Sequence, residues 1–234
     1  MPKKGNKNYK KRGNNTHTNM SPGVPSGMPD DFTSKSTLVF IDAGYLSKLT
    51  KHFGKGKYLK LDVRKFARHL ANKLGLECTR IFYYTAPPYQ SPKPTKEEGK
   101  RKAGYDRFIS KLKVNDDITV REGRLQKIGN SFTKKGVDTL LTMDLTEEPV
   151  ERKINIIILL ACDTDFVPIL NRIRERHKIR IILYYYTDRK RKSMFSMSNF
   201  IITACDRKIL LRKEDFKENI LPPADRQKIN NQKQ

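Results

Sequence analysis

The sequence has few cysteines and no long apolar run. Cys78, Cys162 and Cys205 are widely spaced and never stand as a CxxC pair, so neither a structural zinc site nor a disulfide framework is indicated. The longest uninterrupted aliphatic stretch, at 156–162, is far too short to cross a bilayer, and the basic N-terminus lacks the apolar core of a signal peptide. We therefore predict a cytoplasmic protein with no membrane partner.

Common catalytic motifs are also absent. The chain contains no GxxxxGKS or GxxxxGKT loop, no GxGxxG turn after a strand, no HExxH and no GxSxG, which argues against P-loop, dinucleotide-dependent, zinc-protease and serine-hydrolase chemistry. His52, His69 and His177 lie apart on helical or turn segments and form no ligand pair. Carboxylates are therefore the candidate ligands for any metal.

Acidic residues are scarce beside basic ones. Lys and Arg number 49 against 25 Asp and Glu, a formal net charge of +24, and most of this excess lies between the polar ends of the chain. A basic surface serves solubility alone, attraction to anionic membrane, or nucleic-acid binding. Nucleic acid is the favoured partner because the charge also flanks candidate phosphate-hydrolysing residues.

The two ends of the chain differ in composition from its middle. Residues 1–34 are rich in Lys, Asn, Gly, Ser and Pro and cannot bury enough apolar surface to offset chain entropy, so a disordered basic tail is predicted. Such a tail either adds loose phosphate affinity or is a solvated extension with no specific role. A single folded domain is predicted at 35–212, followed by a largely flexible C-terminal tail at 213–234.

Between the ends, short apolar runs alternate with amphipathic segments, a pattern typical of βαβ units around a parallel sheet. Apolar residues at helical spacing predict core-facing helices at 63–74 and 166–173. A Pro-rich loop followed by a charged helical stretch at 87–108 is predicted to cross the surface. Strands are predicted at 37–42, 78–85, 118–125, 154–161 and 179–186.

A set of aspartates suits metal-dependent phosphodiester hydrolysis: Asp42, Asp138, Asp163 and Asp165. Ligands of open α/β sheets bind beyond the carboxyl ends of the strands, near the point where strand order reverses, and Asp42 and Asp163 follow two predicted strands. Two such charges about 4 Å apart repel by roughly 4 kcal/mol at an effective dielectric of 20. Oxygen ligands favour Mg²⁺ or Mn²⁺ as the relieving cation, and such an ion activates water for attack on phosphorus.

Structural explanations compete at several of these positions. Asp165 opens a helix, where N-cap preference alone would explain it, and Asp138 in a first helical turn could serve only the helix dipole. Asp144 lies on the apolar stripe of the helix that Asp138 begins. Because a buried charge needs a partner, we expect Asp144 to support the site or to form a structural salt bridge, with direct metal contact less favoured.

Basic residues bracket the acidic positions in sequence. The phosphates of a nucleic acid need cationic partners outside an acidic pocket, which alone would repel a polyanion. A solvated turn or an import-like signal is the competing explanation for the second of these basic groups. Serine hydroxyls and amides near a following helix could also donate to a phosphate. The predicted contacts are Lys134, Lys135, Arg189, Lys190, Arg191, Lys192, Ser193 and Ser196.

The motifs FIDAGYL, KKGVDTLLTMDL, ACDTDF and the later ACD together resemble the NYN-domain family of PIN-like (FLAP-related) nucleases, over roughly residues 36–212. The resemblance implies a three-layer α/β/α PIN-like Rossmannoid fold with a mainly parallel five- or six-stranded sheet. It also implies an acidic cluster that binds Mg²⁺ or Mn²⁺ and an RNA substrate. Carried onto this chain, the cluster is Asp42, Asp138, Asp163 and Asp165, and Asp206 matches a further acidic position.

Two positions depart from the usual pattern of that family. Tyr45 stands where the first motif commonly has Asn, and Cys162 stands where Gly would let backbone approach a substrate. We predict a metal-dependent endoribonuclease, with Tyr45 supporting the acidic residues. The alternatives are a catalytically weak or inactive RNA-binding module of the same fold and an interaction protein whose charge serves docking. Single-stranded or structured RNA, and a monomer or homo-oligomer, are left open.

Overall fold

The structure is a computed structural model that describes residues 35–129, 131–187 and 198–222, all within a unit that spans Ser34–Gln234. Its strands are β1 (Ser36–Asp42), β2 (Glu77–Thr85), β3 (Ile118–Glu122), β4 (Arg124–Ile128), β5 (Ser131–Lys135), β6 (Ile156–Leu160), β7 (Arg180–Tyr185) and β8 (Arg207–Leu210). Its helices are α1 (Ala43–Phe53), α2 (Val63–Asn72), α3 (Lys96–Lys113), α4 (Val137–Glu151), α5 (Val167–His177), α6 (Asn199–Thr203) and α7 (Lys213–Lys217), with a 3₁₀ turn at Thr164–Phe166.

The central sheet has six strands in the order β3-β2-β1-β6-β7-β8. Every neighbouring pair in it is parallel. Chain order runs outward from β1 on one side and from β6 on the other, so the strand order reverses between these two strands. Their register pairs Ile41 with Leu160, which places the carboxyl ends of β1 and β6 side by side.

Helices cover both faces of the sheet. On one face α1 and α2 contact α7, and on the other α4 contacts α5. Two adjacent residues of β2 show the division, because side chains alternate along a strand: Tyr83 lines a cavity together with α1 and α3, whereas the Tyr84 hydroxyl donates to Asp144 on α4 at 2.8 Å. The predicted three-layer α/β/α fold is thereby confirmed.

The core is built on the two central strands. All five residues of β6 and the segment Leu38–Ile41 of β1 have no exposed surface, as expected of parallel strands that are covered on both faces. Each such Ile or Leu contributes roughly 1.5 to 3 kcal/mol through burial. The folded part also continues past residue 212, since Phe216 of α7 is fully buried and Ile220 pairs with Leu61.

The third predicted strand, at 118–125, is wrong at its end. Strand β3 stops at Glu122, and the chain turns at Gly123 into an antiparallel hairpin, β4–β5, that forms a separate two-stranded sheet. A Cβ on Gly123 would collide with Val137 and with the backbone of Lys135, so glycine permits this close turn. Among the described residues, none of the helices has the length and apolarity needed to cross a membrane.

Candidate metal centre

Asp42 and Asp163 lie at the point where the strand order reverses. Asp42 ends β1 and caps α1, with its Oδ1 accepting the backbone N–H of Gly44 at 2.8 Å. Asp163 follows β6 and caps the 3₁₀ turn, with its Oδ1 accepting the backbone N–H of Asp165 at 3.0 Å. Each carboxylate is thus oriented by the turn that it begins, and both residues lie at the same edge of the sheet.

Asp138 joins this edge from α4. Gly136 caps that helix in the left-handed region at φ 80°, a conformation that glycine adopts readily, and Asp138 follows in the first turn. The pKa of Asp138 is raised from its ordinary value by partial desolvation and by the carboxylates of Asp42 and Asp163, with Asp165 adding a smaller effect. The structure therefore places Asp42, Asp163 and Asp165 close enough to Asp138 for their charges to raise its pKa.

These four carboxylates differ from other acids of the protein in their partners. Asp117, Asp144, Asp206 and Asp215 each form an ion pair with Arg or Lys at 2.5 to 2.8 Å. Within residues 35–129, 131–187 and 198–222, no basic side chain forms an ion pair with Asp42, Asp138, Asp163 or Asp165. The cluster therefore carries negative charge that no ion pair in the described part of the chain offsets.

The donor set fits a hard divalent cation, although it is not a closed cage. Across the described part of the chain, no three His, Cys, Asp or Glu side chains are arranged to hold a metal ion. Mg²⁺ in proteins commonly keeps several waters and uses only one or two carboxylates, so an open group of oxygen donors suits it. Asp42, Asp138 and Asp163 are the candidates for the one or two carboxylates that could contact such an ion, with Asp165 nearby.

One lysine reaches the acidic cluster. A Cβ on Gly44 would overlap Lys134 Nζ, so this ammonium lies over the first turn of α1, beside Asp42. Its charge lowers the pKa values of Asp138 and Cys162, against the larger effects that raise them. Lys135 is the next residue of β5, and alternation along a strand turns its side chain to the opposite face of the hairpin.

The two departures from the family pattern differ in their surroundings. Tyr45 is 1% exposed, and its hydroxyl accepts the backbone N–H of Tyr186 at 2.9 Å; burial raises the pKa of this phenol. Tyr45 therefore anchors the chain just after β7. Cys162 is half-buried beside the cluster, where burial raises its pKa to about 11 with help from Asp42. This thiol stays protonated at neutral pH and is a poor metal ligand.

Asp144 has a structural environment. Arg121 donates to both of its carboxylate oxygens at 2.8 Å, and Tyr84 donates a third hydrogen bond. Asp144 lies six residues after Asp138 in α4, about 9 Å along the helix axis. Of the two roles expected for Asp144, this geometry supports the salt bridge.

Asp206 lies away from the other acidic positions. It precedes β8, accepts the backbone N–H of Ile181 near the start of β7 at 2.8 Å, and pairs with Arg174. The amino ends of parallel strands share the edge opposite to their carboxyl ends. The resemblance groups Asp206 with the acidic cluster, whereas the structure places Asp206 at the opposite edge of the sheet, outside the candidate site.

Sequence reasoning missed Lys48. Its charge lowers the pKa of Cys162, so it lies near the same edge of the sheet. Gly44 and Lys48 are four residues apart in a helix that Asp42 caps, and this spacing puts both on one face. The remaining predicted contacts, Arg189, Lys190, Arg191, Lys192, Ser193 and Ser196, lie outside the described residues.

A parallel sheet in the order β3-β2-β1-β6-β7-β8, with acidic residues where the order reverses, defines a PIN-like α/β domain. The family model of the NYN domain matches residues 36–211. The chain therefore belongs to the NYN domain family of PIN-like nucleases.

A solved structure shares the fold. The crystal structure of a protein of unknown function from Vibrio parahaemolyticus is similar with a TM-score of 0.51 and 16% identity, over 81% of this chain and 99% of that one. At this identity the likeness concerns the fold alone. No curated protein matches the chain significantly.

Proposed function

We propose that this protein is an endoribonuclease that depends on Mg²⁺ or Mn²⁺. The observation that carries the proposal is the group of carboxylates that share one edge of the sheet and form no ion pair with Arg or Lys in the described part of the chain. Asp117, Asp144, Asp206 and Asp215 are paired with Arg or Lys, whereas the carboxylates of the cluster raise the pKa of Asp138, one of their own members. A bound divalent cation would relieve that repulsion.

The aspartates and the neighbouring backbone N–H groups have different proposed roles, according to their position. Asp42, Asp138 and Asp163 would supply the one or two carboxylates that contact the ion, since three different elements bring them to the same edge. A divalent ion bound there supplies an activated water and offsets charge on the phosphate oxygens. Backbone N–H groups at Gly44 and Asp165 fix the orientation of two of the carboxylates, so less reorganisation is needed when the substrate binds.

Basic side chains at the rim favour RNA as the substrate. Lys134 lies beside Asp42, where its ammonium can neutralise a phosphate adjoining the scissile one. Lys48 and the exposed bases of the β4–β5 hairpin extend positive charge away from the cluster. Phosphate contacts of this kind position a nucleic acid without reading its sequence, and membership of the NYN family directs the choice to RNA.

Cleavage assays on single-stranded and structured RNA test the proposal. Wild-type protein should cleave when Mn²⁺ or Mg²⁺ is added and should stop when EDTA is added. Asp42→Asn and Asp163→Asn should each lose most of the activity, whereas Asp116→Asn should keep it, because Asp116 is exposed before β3 at the opposite edge. Undiminished cleavage in both cluster variants would refute this site.

A second function is favoured by Cys162. Its side chain lies half-buried beside the carboxylates, at the position where the family commonly has Gly, and it occupies space near the edge where a substrate would approach. The resulting alternative is an RNA-binding module with little or no turnover. It predicts salt-sensitive RNA binding without cleavage in either metal, together with a gain of cleavage in Cys162→Gly.

A further inference from the structure

We propose that one face of the β4–β5 hairpin is a stacking site for an unpaired nucleotide of the RNA strand that enters the acidic cluster. Phe132 and Tyr89 provide the aromatic surface, and Lys127 and Arg101 provide the positive charge beside it. The inference rests on the proposed function and names the part of the substrate that this surface takes: a single-stranded segment next to the cleavage point.

The hairpin register puts the relevant side chains on one face. Lys127 pairs with Phe132 and Leu125 pairs with Lys134. Cross-strand partners point to the same side of a sheet, as do residues two apart in one strand. The face that carries Phe132 therefore also carries Lys134, which reaches the Asp42 side of the cluster, so the aromatic surface and the acidic cluster are joined by one continuous strand face.

Phe132 is exposed to an extent that packing does not explain. Its side chain is 55% exposed although it lies 5.4 Å, centroid to centroid, from the ring of Tyr89. Lys127 Nζ stands 5.9 Å from the Phe132 ring centroid. Aromatic side chains beside cations are the usual means of holding single-stranded nucleic acid, because every base has a flat face on which to stack.

A shallow notch adjoins this ring. It has a volume of about 110 Å³ and is lined by Pro88, Tyr89, Glu98, Arg101, Leu125 and Phe132. This is well below the roughly 300 to 1,000 Å³ of a small-molecule site, and it suits the insertion of one flat ring. The one acid of the lining, Glu98, is engaged in capping α3, where it accepts from Ser91 Oγ at 2.7 Å and from the Thr95 N–H at 3.0 Å.

Charge selects a polyanion for this face. Lys127 and Lys134 lie on the same face as Phe132, and residues 124–135 contain no acid. Bases within a duplex are already stacked on one another and offer no free face, so the match is to an unpaired segment. Phe132 and Lys134 are two residues apart in β5, about 7 Å, so one RNA strand can place a base on Phe132 and a phosphate near Lys134.

Equilibrium binding in EDTA tests the stacking site without cleavage. The probe is a 12-nucleotide single-stranded RNA that carries one 2-aminopurine, placed at each position in turn, and a blunt duplex of the same sequence is the comparison. Phe132→Ala should weaken binding of the single strand about 5- to 150-fold, the range of a lost base–aromatic stack, and should abolish the fluorescence quenching at one position. Binding of the duplex should change less than twofold.

The same hairpin offers a matched control. Ile128 is 56% exposed and pairs with Ser131, so it lies on the face opposite to Phe132. Ile128→Ala should leave single-strand binding within twofold of wild type, and Phe132→Tyr should retain both affinity and quenching. An equal loss in Ile128→Ala and Phe132→Ala, or no loss in Phe132→Ala, would overturn the stacking site.

The same protein variants distinguish RNA from an acidic peptide as the occupant of this face. They also distinguish failure of the stacking site from failure of the proposed function. If polyglutamate competes for the protein in a manner that depends on Phe132, the face binds acidic peptide and the inference is overturned. If single-strand binding shows the Phe132 dependence but no metal supports cleavage, the nuclease proposal fails and the stacking site stands. If cleavage occurs while Phe132→Ala binds and quenches as wild type, the stacking site alone fails.

Discussion

Arg121 binds Asp144 through two hydrogen bonds of 2.8 Å, one to each carboxylate oxygen. The Asp144 side chain is 3% exposed and also accepts from Tyr84, so every part of this buried charge is paired. Asp138, on the same helix, has no such partner among the described residues and has a raised pKa. The two aspartates of α4 thus differ in their surroundings: Asp144 is neutralised by Arg121, and Asp138 is repelled by neighbouring carboxylates, a repulsion that the proposed cation would relieve.

Replacement of Asp144 should affect folding and leave the metal site intact. Asp144→Ala leaves the Arg121 guanidinium without its main partner next to the core, and we expect a loss of about 3 kcal/mol in the free energy of unfolding. Urea unfolding followed by circular dichroism measures it. The folded fraction should bind Mn²⁺ with the wild-type affinity, and a large change in that affinity would instead give Asp144 a direct role at the cluster.

Asp138→Asn should have the reverse pattern. Because the folded pKa of Asp138 lies above the ordinary value of an aspartate, the free energy of unfolding falls as pH rises through that pKa, and the cost persists at neutral pH. Removing the charge should therefore stabilise the metal-free protein by about 0.5 kcal/mol, roughly 1 to 2 °C in Tm. This gain in the free energy of unfolding should vanish near pH 3. If Asp138→Asn were less stable than wild type in EDTA, repulsion among the four carboxylates would be contradicted.

Lys134 and Lys135 form a matched pair for testing the rim. Lys134→Gln removes the ammonium beside Asp42, and Lys135→Gln removes a neighbouring one from the opposite face of the hairpin. In EDTA, Lys134→Gln should lower RNA affinity uniformly across sequences and reduce the slope of log K against log salt by about 0.7. Lys135→Gln should change the slope less; equal slopes in the two variants would mean that only net charge matters.

Tyr45→Phe tests whether the Tyr45 hydroxyl has a structural role or a role in the metal site. The variant removes the acceptor of the Tyr186 N–H and should cost about 1 kcal/mol of unfolding free energy, measured by chemical denaturation. Because the hydroxyl is directed at backbone and not at the cluster, Mn²⁺ affinity should remain within twofold of wild type. A loss of affinity much larger than this would place the phenol in the metal site.

The sequence predicted the parts of the molecule that burial dictates. The apolar runs of β1, β2, β6 and β7 indicated strands because they are covered on both faces, and their ends located Asp42 and Asp163. The apolar stripe of α4 likewise indicated that Asp144 is buried. The β4–β5 hairpin has mostly exposed residues, so it carries no burial pattern from which it could be predicted.

The features that the sequence could not predict depend on contacts between segments distant along the chain. The tripeptide Ala-Cys-Asp occurs at 161–163 and again at 204–206, yet the first copy follows β6 and the second precedes β8. The two aspartates therefore lie at opposite edges of one parallel sheet. The contact of Lys134 with the first turn of α1 joins elements that are about 90 residues apart in sequence, and only the folded chain reveals it.

Calorimetric titration with Mn²⁺ tests the central claim, that carboxylates distant in sequence form one cation site. Wild-type protein and Asp116→Asn should take up Mn²⁺ with the same affinity, and Asp42→Asn and Asp163→Asn should each bind it at least about tenfold more weakly, a loss of about 1.4 kcal/mol. Uptake that is unchanged in both cluster variants would show that the ion, if bound, is held elsewhere, and would contradict the account.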